Sequence, residues 1–331
     1  MKALRRYAYL ALGVVCLHLV FGAFVRISGS GLGCGTTWPK CYGHWFPPLS
    51  RPDLIIEVMH RYLASIVTLS IVVLWVASWR RRTEPGVAGR GGVLRMASAA
   101  VVTVLCEAGL GGVTVKLGNA PWTVVAHWTL AMTLLGILAT AAVRTGAMGG
   151  MGVREDYASR GFVRAAYAAA TLAFLTVVMG GLTANYPFAA VGCTTFPFCG
   201  PNPDAPASAI HIQLTHRTVA VMLALLLLAM AVGPRTRRPG PTVVAALRVA
   251  VSLVLLQIVI AACMVLFHMP TPLRSLHEAT GVAIWLAAFT LAYLARIAGG
   301  LGPLGEGRAA NAPWPSPRSG AGHAKMVEVG S

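Results

Sequence analysis

Two strings concentrate the reactive residues of this chain: EVMHRYLAS at residues 57–65 and QLTHRTVAV at 213–221. Each sets a histidine directly before an arginine inside an otherwise apolar stretch. A second histidine follows each of them, His127 in AHWTLAM (126–132) and His277 in LHEATGV (276–282). His60, His127, His216 and His277 each lie within about two turns of the same end of their apolar segments. Ionisable side chains are costly inside a bilayer and are normally retained for a function. One such histidine reads as a packing residue, and His18, which has no counterpart, is read so. Four at one depth, arriving as a duplicated pair, read as ligands.

Opposed imidazoles on neighbouring helices suit a cofactor held in a helix-bundle core, and haem iron accepts two axial histidines. The pairs are then His60 with His127 and His216 with His277. Zinc is the competing reading, but it takes four ligands, or three and a water. No further cysteine, histidine or carboxylate recurs at this level. Arg61 and Arg217 follow the first histidine of each pair. They can pair with a carboxylate such as a haem propionate, or snorkel to the headgroups. Glu57 stands one turn before His60 on the same face, whereas its counterpart is Gln213. Glu57 either pairs with Arg61 at i+4 or gives one site a titratable group for proton-coupled chemistry. Glu107 and Gln257 repeat the acid-to-amide difference deeper in the chain, with no mechanism attached.

These residues need long apolar elements to position them, and the composition supplies them. Of 331 residues, 56% are hydrophobic and 11% charged, with mean hydropathy +0.69; a soluble domain carries about 25% charged residues. Eight stretches are long enough to span, near 7–27, 55–79, 95–116, 122–143, 162–184, 209–232, 242–267 and 275–297. The net charge of +17 is a topology signal. With the N-terminus inside, twenty Lys and Arg fall on the inner side and seven on the outer, which places both termini in the cytoplasm. No basic face alternates with aromatics in a soluble segment, so no nucleic-acid partner is expected. The first apolar stretch is too long for a secretory leader and FVRISGSG offers no cleavage site, so it reads as a retained helix. Residues beyond 297 are rich in Gly, Pro and Ser and read as disordered.

The histidine strings belong to a longer repeat. GCGTTWPKC (33–41) is echoed by GCTTFPFC (192–199). Counterparts are 159 residues apart for Cys34 and Cys193, 156 for His60 and His216, and 150 for His127 and His277. Four spans per repeat bring both halves in from the same side, the parallel arrangement about an axis along the membrane normal. The expected fold is therefore an all-α integral membrane protein. Eight transmembrane helices form two pseudo-twofold-related four-helix bundles, residues 1–150 and 151–297, followed by a cytoplasmic tail, 298–331. Cys16, Cys106 and Cys263 fall inside spans as apolar filler. Cys34 with Cys41 and Cys193 with Cys199 fall on the outer side, where an oxidising compartment permits disulfides. Each pair can staple a cap over its bundle, and a redox role is the other reading.

Taken together, the eight spans in two halves, EVMHR and QLTHR, His127 and His277, and both cysteine-bracketed loops resemble the haem A synthase family over residues 7–297. The resemblance implies a haem b cofactor on His216 and His277 and substrate haem o between His60 and His127. It implies successive oxidation of the C8 methyl group of haem o to a formyl group, giving haem a for terminal oxidase. Glu57 matches the family's acidic residue and Cys34/Cys41 its outer-loop pair; Glu57, His60 and His127 are then the catalytic set. A haem o-producing farnesyltransferase is the neighbour it implies, in the plasma membrane, together with an unidentified electron-transfer partner. Three other readings stay open: a bis-histidine cytochrome b passing electrons between quinol and a partner, a membrane transporter, and a disulfide-exchange enzyme using the outer cysteines, which would not need the histidine pairs.

Overall fold

All eight apolar stretches form long helices. The computed structural model describes residues 1–48, 50–233 and 239–301. The helices are α1 (Lys2–Ile27), α2 (Pro52–Arg80), α3 (Val93–Lys116), α4 (Pro121–Arg144), α5 (Arg160–Asn185), α6 (Ala207–Val232), α7 (Pro241–Leu266) and α8 (Thr271–Ala298). Each is long and apolar enough to cross a membrane. Among the described residues the only β-pairing is two isolated bridges, Cys41 with His44 and Cys193 with Pro201. A helix satisfies its backbone within one segment, which is what a hydrocarbon environment demands. The chain is a multi-pass, all-helical protein. The tail expectation falls, from residue 302 onward, outside the described residues.

Local signals set the helix starts. Proline occupies the first or second position of α2, α4, α7 and α8, where its missing N–H has no intrahelical partner to lose. Ser159 caps α5 by accepting the Phe162 N–H at 3.2 Å. α1 begins before the apolar pattern does, because its polar first turns are anchored. Arg5 donates to the Thr145 carbonyl at 3.0 Å, and the Tyr9 hydroxyl accepts the Met148 N–H at 3.1 Å.

Helices α1 to α4 touch in cyclic order, as do α5 to α8, and the two sets meet through α1, α4, α5 and α8. α4 and α8 bury the largest share of their length. Met132, Leu135 and Leu138 on α4 and Leu291 and Leu294 on α8 are sealed from solvent at this seam. Two indoles stitch it. Trp285 donates to the Met132 carbonyl at 2.9 Å and Trp128 to the Val177 carbonyl at 3.2 Å. Outward-facing Leu17, Leu69, Leu105 and Leu225 stay exposed, as expected of faces that meet lipid.

Candidate functional site

The two cysteine loops close at the same end of the molecule, where α1 hands over to α2 and α5 to α6. Cys34 and Cys41 form a disulfide with Cα atoms 5.0 Å apart, and Cys193 and Cys199 another at 4.8 Å. Each loop is then tied to the helix that follows it. The Cys34 N–H donates to Glu57 Oε2 at 2.7 Å, and the Cys193 N–H donates to Gln213 Oε1. Glu57 and Gln213 are buried to similar degrees. An amide oxygen accepts a backbone N–H as a carboxylate oxygen does, so the two positions do the same mechanical work. Charge separates them. Glu57 Oε1 also pairs with Arg61 at 2.5 Å, the i+4 contact anticipated from sequence.

The two arginines point into the loops. Arg61 donates to the carbonyls of Thr37 (2.8 Å), Pro39 (3.1 Å) and Lys40 (3.3 Å). Arg217 donates to Thr195 (2.8 Å) and, at longer range, to Phe198, Pro197 and Cys193. Both guanidiniums are engaged by backbone carbonyls, so a propionate at either site would share its arginine with the loop.

All four histidines sit in the second or third turn of α2, α4, α6 and α8, at the cysteine-loop end. His216 and His277 face each other with ring centroids 6.5 Å apart and planes inclined at 71°. Two metal–imidazole bonds of about 2 Å each, plus the reach of the rings, span a gap of this order. His216 Nδ1 lies 3.1 Å from the Thr176 carbonyl. A carbonyl only accepts, so Nδ1 carries the proton and Nε2 keeps its lone pair, which is the arrangement a metal ligand needs. His277 Nδ1 is buried without a partner. Around His60 and His127 the arrangement differs. His60 stacks on His18 with centroids 4.4 Å apart and also faces Phe21 at 6.4 Å. His127 Nδ1 lies 3.0 Å from Glu107 Oε1, close enough for an ion pair but off the ring N–H direction.

Sequence reasoning missed two members of this cluster. His18, expected to be a hydrogen-bonded packing residue, stacks on a candidate ligand, and its Nδ1 is buried without a partner. Glu107, noted only for its acid-to-amide difference from Gln257, meets the second ring of the same pair. The repeat held a usable signal. Gln257 aligns with Glu107, yet it donates to the His277 carbonyl at 2.9 Å and leaves the ring alone. Glycines supply another. A Cβ on Gly22 would stand 3.0 Å from His60 Nε2, one on Gly111 3.1 Å from His127 Cε1, and one on Gly180 3.1 Å from His216 Cε1. Three of the four rings thus lie against a residue with no side chain on the adjoining helix.

This donor set fits haem. Each pair offers two imidazoles, and although His18 and Glu107 adjoin the first pair, among the described residues no group of three or more His, Cys, Asp or Glu is placed to hold a metal ion. A porphyrin supplies the remaining iron positions itself. His216 keeps Nε2 free of a proton, and the glycines let the adjoining helices approach three of the rings closely.

Comparison with known proteins places the chain among relatives named for haem A synthesis. A family model described as COX15-CtaA, cytochrome oxidase assembly protein, matches residues 5–55 and 52–289. The chain is similar to a heme A synthase of Shouchella clausii (strain KSM-K16), 28% identical over 234 residues, which is 69% of this chain and 75% of that one. It is similar also to a heme A synthase of Geobacillus thermodenitrificans, 25% identical over 278 residues, 80% of this chain and 82% of that one.

Proposed function

Because the chain belongs to the COX15-CtaA family of cytochrome oxidase assembly proteins, we propose that it makes haem a from haem o by oxidising the C8 methyl group to a formyl group in successive hydroxylation steps. The observation that carries this is a histidine at matching depth on α2, α4, α6 and α8, with His216 facing His277 and with Glu57 one turn before His60 where the other set has Gln213. In this reading residues 1–150 and 151–297 are duplicated bundles. His216 and His277 hold haem b in the second, where it carries electrons. His60 and His127 hold the substrate haem o in the first.

The chain's own residues then have separable tasks. Thr176 fixes the His216 tautomer through its carbonyl. Arg61 and Arg217 hold the cysteine loops over the sites and lend part of their charge to propionates. Glu57, one turn from His60, takes up a proton or balances positive charge developing at the methyl carbon. Gln213 keeps the mechanical contact to its loop and has no charge to offer. A farnesylated haem is apolar enough to enter and leave sideways through lipid. A haem o-forming farnesyltransferase is the expected neighbour, and a separate partner exchanges electrons. The excess of basic residues at the end opposite the cysteine loops supports cytoplasmic termini, and the plasma membrane is the location that goes with this reading.

Haem extraction from the purified full-length protein tests this. Haem b together with haem o or haem a supports the synthase. Haem b alone points to a bis-histidine cytochrome between quinol and a partner. A protein that yields no haem after reconstitution rules out both and returns the transporter and disulfide-exchange readings.

A further inference from the structure

At the end of the molecule opposite the cysteine loops lies a cavity of about 460 Å³ lined by Arg90, Arg95, Met96, Arg144, Tyr293 and Arg296. We propose that this cavity is a binding site for a phosphate-bearing anion, the headgroup of an anionic phospholipid or a free phosphate, bridging the two sets of helices. Nothing in the proposed haem chemistry uses these residues.

A topology bias requires only that basic residues accumulate on one side of the membrane. It does not require that they converge. Here Arg90 comes from the α2–α3 connection, Arg95 from the first turn of α3, Arg144 from the last turn of α4 and Arg296 from the last turn of α8. Four guanidiniums from four places face one concavity. No carboxylate lines it, and the ion pairs among the described residues involve none of the four arginines.

Two of the four are held in place by neutral groups. Arg144, 9% exposed, donates to the Tyr293 hydroxyl at 3.0 Å and to the Gly92 carbonyl at 3.0 Å. Arg296 donates to the Tyr167 hydroxyl at 3.1 Å. These contacts orient the guanidiniums without neutralising them, and a buried cation with no counter-charge is costly. Tyr293, having accepted from Arg144, keeps its own O–H to donate. Arg90 and Arg95 are exposed and, among the described residues, have no hydrogen-bonded or ion-paired partner, so they are free to close on a ligand. Guanidinium forks match phosphate oxygens two at a time. Basic pockets between transmembrane helices at the cytoplasmic side are where anionic headgroups bind. α3 and α4 belong to one set of helices and α8 to the other, so an occupied site would also brace the seam.

The test uses full-length protein in a neutral detergent and a fluorescent phosphatidylglycerol, with fluorescent phosphatidylcholine as reference. The native protein should bind phosphatidylglycerol more tightly. Arg90→Gln with Arg95→Gln, both on exposed side chains, should weaken that binding at least about tenfold. Arg80→Gln with Arg82→Gln removes the same charge from the same end outside the cavity and should leave it unchanged. Displacement by millimolar inorganic phosphate assigns the site to free phosphate, and resistance to it assigns the site to the lipid headgroup; either upholds the site. Equal losses in the two double variants, or none in the first, would overturn it by reducing the attraction to general surface charge. As a second measurement, phosphatidylglycerol should raise the thermal midpoint of the native protein and not that of the Arg90/Arg95 variant.

Discussion

Single side chains divide the two sites more sharply than the helices do. Glu57 and Gln213 accept the same backbone N–H from the first cysteine of their loops, so Glu57→Gln substitutes the solution already in use in the other half. The loop and disulfide should survive, and only the charge beside His60 is lost. Haem a output should fall by about a hundredfold, within the range for removing an acid–base group. Haem o or its hydroxylated product should accumulate in haem extracts analysed by chromatography. Unchanged output would remove Glu57 from the chemistry and leave it as loop mechanics. Glu107 acts one step further out. If His127 is a haem ligand as proposed, a carboxylate against Nδ1 raises the basicity of the nitrogen opposite and steadies the ring, and among the described residues His127 is the one of the four histidines with such an ion pair. Glu107→Gln should therefore keep the haem of the first site while shifting its midpoint potential upward, with the second site unmoved. Spectroelectrochemical titration reads both sites, and a purely structural role for Glu107 would leave the potential where it was.

At the scale of elements, spans and loops were legible in the sequence because their signals are contiguous. A membrane helix must be apolar over about 20 residues, and each of the eight stretches announces itself. The cysteine pairs are bracketed within single loops, and both close. What could not be read is which way each helix is turned about its axis. His18 meets His60 from α1, and Glu107 meets His127 from α3; no spacing within one helix encodes either contact. The arginines show the same limit from the other side. HR invited a ligand partner in both halves, while the loop carbonyls that engage Arg61 and Arg217 lie some twenty residues upstream. The loops also separate staple from redox device. Cys34→Ser with Cys41→Ser should cost about 2 kcal/mol by the loop-closure argument, measured as lost stability of the purified protein. If the pair is a staple, activity per folded molecule stays the same. If it takes part in electron exchange, activity falls while the loop contacts of Arg61 persist.

For the molecule as a whole, the arrangement of the two sets of helices matters because both candidate sites lie near their seam. Arg26 on α1 forms an ion pair with Glu278 on α8 and donates to the Ala184 carbonyl on α5 at 3.3 Å, so one guanidinium fastens three helices at the cysteine-loop end. Trp285 and Met132 hold the middle, and Arg144 with Tyr293 holds the far end. Glu278 directly follows His277, and the repeat aligns it with Trp128, which follows His127 and also reaches across to the other set. The residue after the second histidine therefore ties each site to the opposite half. Glu278→Gln leaves Arg26 partly buried with no counter-charge. A fully buried pair broken on one side costs about 3–5 kcal/mol, and exposures of 23% and 19% reduce that to about 2 kcal/mol. The thermal midpoint should drop by about 5 °C. Adding Arg26→Gln should restore part of the loss, because it removes the stranded charge. The Soret band of each variant, recorded alongside, tests whether loosening the seam also weakens the haem site proposed at His277. If the two substitutions instead add without coupling, the ion pair is no fastener and the seam rests on its apolar core, the indoles and Arg144 with Tyr293.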